Sequence, residues 1–338
     1  MPRLDRTAAT LALLSALSSG ACTAKERAPL ASSGGTGASA GSASGGTSGS
    51  GAQGGLGGAP GDCPAFADAE TTGNLESVEL TEASGIVASR KHAGVLWLHN
   101  DSGDSARVFA ASTTGKHLGT FTLAAVQAVD WEDIAMGPGP IPNADYLYLG
   151  DIGDNAAQRP EIRVHRVLEP MVSSGQSPVT VSISDVETFV LSYEDGAHDA
   201  ETLLVDPVSG ELLIVTKQAV GPSLVFRAGP LPSGGGSLTL TQTNSLAFGV
   251  SPLLGSNLTT AGDISASGAF IAIRSYTHAF LWRRGPGQSV SAALAGEPCP
   301  IPLLLQPQGE SLGFAGDGQG YYTVSEGTGP PLHFYARE

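Results

Sequence analysis

Acidic side chains recur at fixed positions of a short repeated pattern that ends in isoleucine or leucine. Its third position is Glu132, Glu201 and Glu310 in three copies, and Asp130 and Asp199 lie two residues before the first two. Carboxylates that converge on one axis repel each other unless a proton or a cation lies among them. Oxygen ligands without cysteine favour Ca²⁺ or Mg²⁺ over zinc. We predict that these five residues bind a divalent cation, with calcium as the cofactor; the alternative is that the glutamates only cap turns or bond neighbouring strands.

Two loops share the pattern Asp-x-Gly-Asp, and each follows a short apolar run: "HNDSGD" at 99–104 and "GDIGDN" at 150–155. Such loops can bind a metal, but turns also reuse aspartate and glycine for their backbone conformations. Three of the five repeats lack the pattern, so the fold does not require it. We leave both interpretations open and predict that Asp101 and Asp151 are the metal ligands of these loops.

Four more polar residues follow the second strands of the repeats, where they would lie beside the cation: Asn100, Lys217, Arg274 and Glu326. We predict that they bind a ligand, although Lys217 and Arg274 could instead pair with the acidic residues. Candidates for catalysis are Lys217, Arg274 and His198, which directly precedes Asp199. No P-loop is present, and the sequence leaves open whether the protein is an enzyme.

The elements that position these residues are strands. The pattern occurs five times, and its fifth position is always a large aliphatic residue: Ile86, Ile134, Leu203, Ile264 and Leu312. Further β-rich runs follow each copy, separated by turn residues, which predicts a four-stranded unit of about fifty residues. Repetition of such a unit is typical of an all-β fold, the β-propeller.

We favour five blades, and a sixth is possible only if residues 154–199 conceal one. The stretch "LESVEL" at 75–80 would supply the missing outer strand of the last blade, and "SAALAG" at 291–296 would be the fourth strand of the fourth. Closure by an N-terminal strand removes exposed sheet edges.

The N-terminal sixth of the chain does not resemble a globular core. Residues 1–22 have a basic start, a short apolar run and small residues before Cys22, which is typical of a signal peptide with a lipobox-like end. We predict lipidation of Cys22 and a membrane anchor; the alternative is ordinary cleavage and secretion. Residues 23–62 are a disordered Gly/Ser-rich tether, and 63–338 form a single propeller domain. The predicted location is the cell envelope, as a monomeric lipoprotein of the outer membrane or periplasm, or outside the cell.

Three cysteines are present, and lipidation of Cys22 leaves an even pair. In an oxidising compartment Cys63 and Cys299 would form a disulfide, and otherwise they are two buried thiols. The formal net charge is −15 with few basic residues, so a nucleic-acid partner is not expected.

At "DWEDIA" and "DAETLLVD", together with the repeat, the chain resembles bacterial propellers of the phytase-like and esterase-like-phytase group. The resemblance implies calcium at the mouth of the central channel and a calcium-dependent hydrolase acting on phosphate or carboxyl esters.

The sequence as a whole leaves three hypotheses for the function: a cation-dependent binding module, such a hydrolase, and a protein-interaction scaffold.

Overall fold

The computed structural model describes residues 63–248 and 253–338. The predictions for the signal peptide, Cys22 and the tether lie outside the described residues. Within them nearly all the regular secondary structure is β-strand, and the part described has no helix long and apolar enough to cross a membrane.

The strands follow the repeat. Strand β1 spans Glu70–Asn74. The first sheet is formed by β2 (Ala83–Ala88), β3 (Val95–Asn100), β4 (Arg107–Ser112) and β5 (His117–Leu123). The second comprises β6 (Trp131–Pro138), β7 (Asp145–Asp151), β8 (Ile162–Leu168) and, after an excursion, β10 (Glu187–Tyr193). The excursion is β9 (Val179–Ile183), which was not expected and pairs in parallel with the edge of β5.

The third group comprises β11 (Ala200–Val205), β12 (Leu212–Thr216), β13 (Ser223–Ala228) and β14 (Gly236–Leu246). Parallel pairing of β14 with β10 joins the second and third groups into one eight-stranded sheet. The fourth comprises β15 (Thr259–Ile264), β16 (Phe270–Ser275), β17 (Ala279–Arg283) and β18 (Cys299–Ile301), with helix α1 (Val290–Leu294) before β18. The last comprises β19 (Gly313–Phe314), β20 (Gly320–Thr323) and β21 (Pro331–Ala336), completed by β1.

The first strand of each group contacts the first strand of the next, in the cyclic order β2, β6, β11, β15, β19 and back to β2. Strands that run outward from such a closed ring form a β-propeller, the predicted fold class. The aliphatic residue at the fifth position of the repeat is buried in every copy. Burial of this side chain between neighbouring sheets contributes to the stability of the fold.

Two aspartates, each directly before this aliphatic residue, link first strands of different sheets by hydrogen bonds. The buried carboxylate of Asp133 on β6 accepts backbone N–H groups of Leu203 at 2.9 Å and Gly262 at 3.3 Å, which belong to β11 and β15. Asp263 on β15 accepts the N–H of Phe314 on β19 at 2.8 Å. Burial raises the pKa of both carboxyls, that of Asp263 to about 7. Neither aspartate was predicted to have a role.

Two strand predictions were wrong in detail. The outer strand of the last group is β1, which pairs with β21, whereas residues 75–80 form a turn beyond it. The stretch 291–296 lies largely in helix α1, because Ser289 caps the helix N-terminus by accepting the N–H of Ala292, and alanine is a good helix former. Strand β18 takes the outer position instead. Its Cys299 forms the expected disulfide with Cys63, with the Cα atoms 5.7 Å apart.

Candidate functional site

All the loops that enter a first strand, and all the turns from a second to a third strand, lie on one face of the propeller. This follows because successive strands of each sheet run antiparallel. We call this surface the mouth face. It carries six carboxylates that we call the acidic mouth: Asp101, Asp130, Glu132, Glu201, Glu310 and Glu326.

β-Bulges displace Glu132 and Glu201 from the regular register of their strands. The register between β6 and β7 skips Glu132, and that between β11 and β12 skips Glu201. Ser84 is skipped in the same way between β2 and β3. A bulge leaves its extra residue out of the ladder and redirects the side chain, so the third position of the repeat leaves the normal alternation of the strand.

The first carboxylate group of the mouth comprises Asp101, Asp130 and Glu132, which each offer an oxygen within 4.8 Å of the others. Glu132 is only 4% exposed. None of the described residues donates a hydrogen bond to its carboxylate. A buried carboxylate without a donor is costly unless a proton or a cation compensates it.

The second group comprises Asp101, Glu310 and Glu326, again with oxygens within 4.8 Å of one another. Asp101 therefore belongs to both groups. Burial raises the pKa of Asp101 to about 6, and the charges of Glu310 and Asp130 act in the same direction. Burial, together with the adjacent carboxyl of Glu310, raises the pKa of Glu326 to about 8.

Glu201 joins the mouth through a chain of polar contacts. Lys217 donates to Glu201 Oε1 and, at 3.2 Å, to the hydroxyl of Tyr276, which donates to Glu310 Oε1 at 2.6 Å. The other oxygen of Glu201 is buried without a partner among the described residues. Burial raises the pKa of Glu201 to about 8 against the opposing charge of Lys217. Tyr276 was missed because nothing in the repeat marks it.

Burial also raises the pKa of Glu132 well above its usual range, and the charges of Glu201, Asp101 and Asp130 add to the shift. The positive charge of Lys217 opposes it. The mouth therefore favours either bound protons or a bound cation over a set of bare carboxylates.

The two Asp-x-Gly-Asp loops serve different purposes. Asp101 lies in the acidic mouth, whereas the matching Asp151 is fully buried and accepts the N–H groups of Val129 and Asp130, both at 3.2 Å. Arg159 also binds Asp151, at 2.6 Å. Asp151, predicted as a metal ligand, thus positions the loop that presents Asp130.

Gly153 in the second loop has no Cβ atom, and this leaves room for two carboxylates of the acidic mouth. A Cβ atom there would lie 2.2 Å from Glu132 Oε1 and 2.6 Å from Asp130 Oδ2. The backbone of "GDIGDN" is therefore packed directly against two carboxylates of the first group, and any side chain at this position would displace them.

Three predicted site residues have structural partners: Asn100 was predicted to bind the ligand, Asp199 the metal, and His198 to act in catalysis. Asn100 uses all four of its hydrogen bonds, because it accepts the N–H groups of Thr81 and Glu82 and donates to Glu79 O and Asp104 Oδ2. Asp199 accepts the N–H of Asp154 at 2.9 Å. His198 bonds Asp195 at 2.9 Å and packs against Tyr193 and Phe226.

Arg274 is fully buried instead of lining the mouth. Its guanidinium donates to Gln306 Oε1 and to Ser311 O, both at 3.1 Å. A Cβ atom on Gly309 would lie 2.2 Å from Nη2, so the arginine lies directly beneath the loop that leads to Glu310. Arg274 therefore supports this loop, and Lys217 is the predicted basic residue that reaches the mouth.

Residues 309–313 read Gly-Glu-Ser-Leu-Gly, a match to the serine-hydrolase pattern Gly-x-Ser-x-Gly. The geometry is not that of a nucleophile elbow, in which the serine lies exposed on a strand-to-helix turn. Ser311 is fully buried, donates to Val324 O at 3.0 Å and accepts the N–H of Val324 at 2.9 Å.

No family model matches the chain, and no curated protein matches it. Among solved structures, it is similar to a gluconolactonase, XC5397 from Xanthomonas campestris, with a TM-score of 0.43, 11% identity and coverage of 82% of this chain and 96% of the other. It is also similar to the RRP9 WD40 repeats, with a TM-score of 0.42, 12% identity and coverage of 81% and 99%. For U3-55K the TM-score is 0.40, with 12% identity and coverage of 81% and 100%. Similarities at this level carry no inference about function.

Proposed function

We propose that the protein is an extracytoplasmic propeller of five blades that binds a divalent cation, calcium in preference, and a ligand at its acidic mouth. The observation that carries the proposal is the buried side chain of Glu132, whose carboxylate has no hydrogen-bond donor among the described residues and lies within reach of Asp101 and Asp130. A cation among these oxygens would remove both the repulsion and the missing contacts.

The count of five rests on the closed order of first strands β2, β6, β11, β15 and β19. The interval in which a sixth blade was considered holds β8, β9 and β10 instead, and these extend neighbouring sheets. Anchoring through Cys22 and a monomeric state remain proposals from the sequence. The Cys63–Cys299 disulfide supports an oxidising location.

The donor set favours calcium over other divalent cations. It consists of carboxylate oxygens with no cysteine or histidine among them, and several could bind in bidentate fashion. Ca²⁺ takes six to eight oxygen ligands in flexible geometry, whereas Mg²⁺ demands a near-ideal octahedron and keeps several waters.

Titration calorimetry of the purified protein with CaCl₂ tests the proposal. We expect wild type to bind calcium more tightly than magnesium, and Glu132→Gln to lower the calcium affinity at least about tenfold. The matched control is Glu211→Gln, which removes an acidic residue that pairs with Arg227 in a turn on the opposite face. Absence of calcium binding by wild type, or unchanged affinity in Glu132→Gln, would overturn the proposal.

The hydrolase alternative depends on basic side chains that could offset the charge of a phosphate. Of the two predicted for this role, Arg274 is buried beneath the Glu310 loop and Lys217 is already paired with Glu201. The geometry therefore favours a binding module. Turnover of p-nitrophenyl phosphate or p-nitrophenyl butyrate by wild type, abolished by a chelator and by Glu132→Gln, would reverse this preference. Capture of a partner that calcium neither strengthens nor weakens would favour the scaffold.

A further inference from the structure

Large aliphatic side chains lie on exposed loops of the mouth face. Four lie in loops that enter a first strand and one in a turn from a second to a third strand, and each is between 52% and 95% exposed: Val78, Val129, Val220, Leu254 and Leu305. We call these five residues the rim. Isolated exposed aliphatic residues are common, but several on the same face of a protein, next to polar groups, mark a contact surface for a partner.

The rim is tied to the mouth by the chain and by hydrogen bonds. Val129 directly precedes Asp130, and Val220 lies three residues after Lys217. The loop that carries Leu254 is held against the Lys217 loop by Asn257, whose side-chain amide donates to Gln218 O at 2.9 Å and to Ala219 O at 3.1 Å. A ligand centred on the mouth therefore lies close to Val129, Val220 and Leu254 of the rim.

Charge decides which ligand fits. Lys217 and Arg159 oppose the negative charge on Glu132 and Asp130, but each is already bound to a carboxylate, Glu201 and Asp151 respectively. An anionic group would meet an excess of carboxylates. A cationic group would satisfy oxygens that otherwise lack donors, since a lysine ammonium supplies three N–H donors.

We propose that the mouth face docks a segment of a partner protein in which a lysine enters the acidic mouth while flanking large apolar side chains cover the rim. This deepens the proposed function by naming its ligand, and it rests on the same mouth. The ammonium and Ca²⁺ would compete for the same oxygens. An anionic membrane surface is the less suitable occupant, because its headgroups would be repelled by the acidic mouth.

Fluorescence anisotropy of the purified protein in EGTA tests the proposal, with a labelled peptide Gly-Leu-Val-Lys-Val-Leu-Gly as the probe. A second peptide carries norleucine in place of lysine, and a third carries serine at the four apolar positions. We expect the lysine peptide to bind at least about tenfold more tightly than either of the others. We also expect added calcium to weaken its binding.

Two variants with paired substitutions test the surface. Val220→Ser with Leu254→Ser should weaken binding of the lysine peptide at least about tenfold. The matched control is Met171→Ser with Val208→Ser, which changes two equally exposed apolar residues on the opposite face and should leave binding unchanged. All four side chains are exposed, so the folds should be intact.

Equal binding of the lysine and norleucine peptides, equal binding by the rim variant, or no binding up to about 1 mM would overturn the docking proposal. So would adsorption to phosphatidylcholine–phosphatidylglycerol vesicles that is lost in the rim variant, since it would assign the rim to a membrane. Calcium binding in calorimetry without peptide binding would leave the proposed function intact. Peptide binding without calcium binding would support docking and overturn the cation site.

Discussion

Substitution of Gly153 by alanine should weaken the proposed cation site without unfolding the protein. The new Cβ would lie 2.2 Å from Glu132 Oε1 and 2.6 Å from Asp130 Oδ2, so the nearer oxygen must retreat by about 0.8 Å to reach the shortest contact that real Cβ atoms make. Ca²⁺–oxygen distances span only about 2.3–2.6 Å. A shift of this size therefore removes one or both oxygens from a shared coordination sphere.

We expect Gly153→Ala to lower the calcium affinity at least about tenfold, which corresponds to about 1.4 kcal/mol. The cost to the fold should be small, because the atoms displaced are the ends of two side chains and an off-rotamer torsion costs about 0.5–1.5 kcal/mol. Calorimetry gives the affinity, and urea unfolding in EGTA gives the free energy of unfolding.

Two other glycines provide controls. Gly175 has no atom within 4 Å of an added Cβ, so Gly175→Ala should change neither quantity. Gly103 in the first Asp-x-Gly-Asp loop has an equally open environment but a φ of +93°, so Gly103→Ala should lower stability by about 1 kcal/mol through backbone strain. Calcium binding of wild-type affinity by folded Gly153→Ala would refute the assignment of Glu132 and Asp130 as ligands.

Three further outcomes are expected. Because burial raises the pKa of Asp101 to about 6 and of Glu326 to about 8, the folded apo-protein binds protons that the unfolded chain has released. Its free energy of unfolding, measured by urea titration, should therefore fall as pH rises from about 4 to 8. The double variant Asp101→Asn with Glu326→Gln should show a smaller decrease in this free energy. Saturating calcium should also reduce the decrease. Asp133→Ala leaves the buried N–H groups of Ile134, Leu203 and Gly262 without the carboxylate that accepts them, at about 1–3 kcal/mol each, so thermal melts should show severe destabilisation; a change below about 1 kcal/mol would show that Asp133 does not link the first strands. Cys63→Ser with Cys299→Ser should lower stability by about 2–5 kcal/mol, and an equal loss in wild type treated with reductant would confirm the cause.

The fold class could be predicted because its signal is local and repeated. The buried aliphatic position of each first strand is apolar in all five copies, and the runs that follow have the residue types of strands. The errors occurred where local signals are weak. Residues 291–296 read equally well as strand or helix, and the strand that closes the last sheet, Glu70–Asn74, contains threonine and glycine but no large apolar residue.

The candidate site could be predicted only as a set of residue types. Of the seven predicted metal ligands, Asp101, Asp130, Glu132 and Glu310 fall in the two close carboxylate groups, together with Glu326, which was expected to bind the ligand. Glu201 lies beside them through Lys217 and Tyr276. Asp151 and Asp199 instead accept backbone N–H groups. No rule of spacing separates these roles, because both kinds of aspartate follow the same pattern.

By itself the sequence determined the all-β repeat, the aliphatic residues that its core buries, the pairing of two cysteines and the excess of carboxylates. These features depend on residue type and periodicity, which are properties of the sequence alone. Only the tertiary structure decided which carboxylates meet. β-Bulges turn Glu132 and Glu201 out of register, closure of the ring brings Asp101 beside Glu310 and Glu326, more than two hundred positions further along the chain, and the missing side chain of Gly153 leaves room for the oxygens. Such proximity depends on how distant strands pack, and that information is not present in any one segment of the chain.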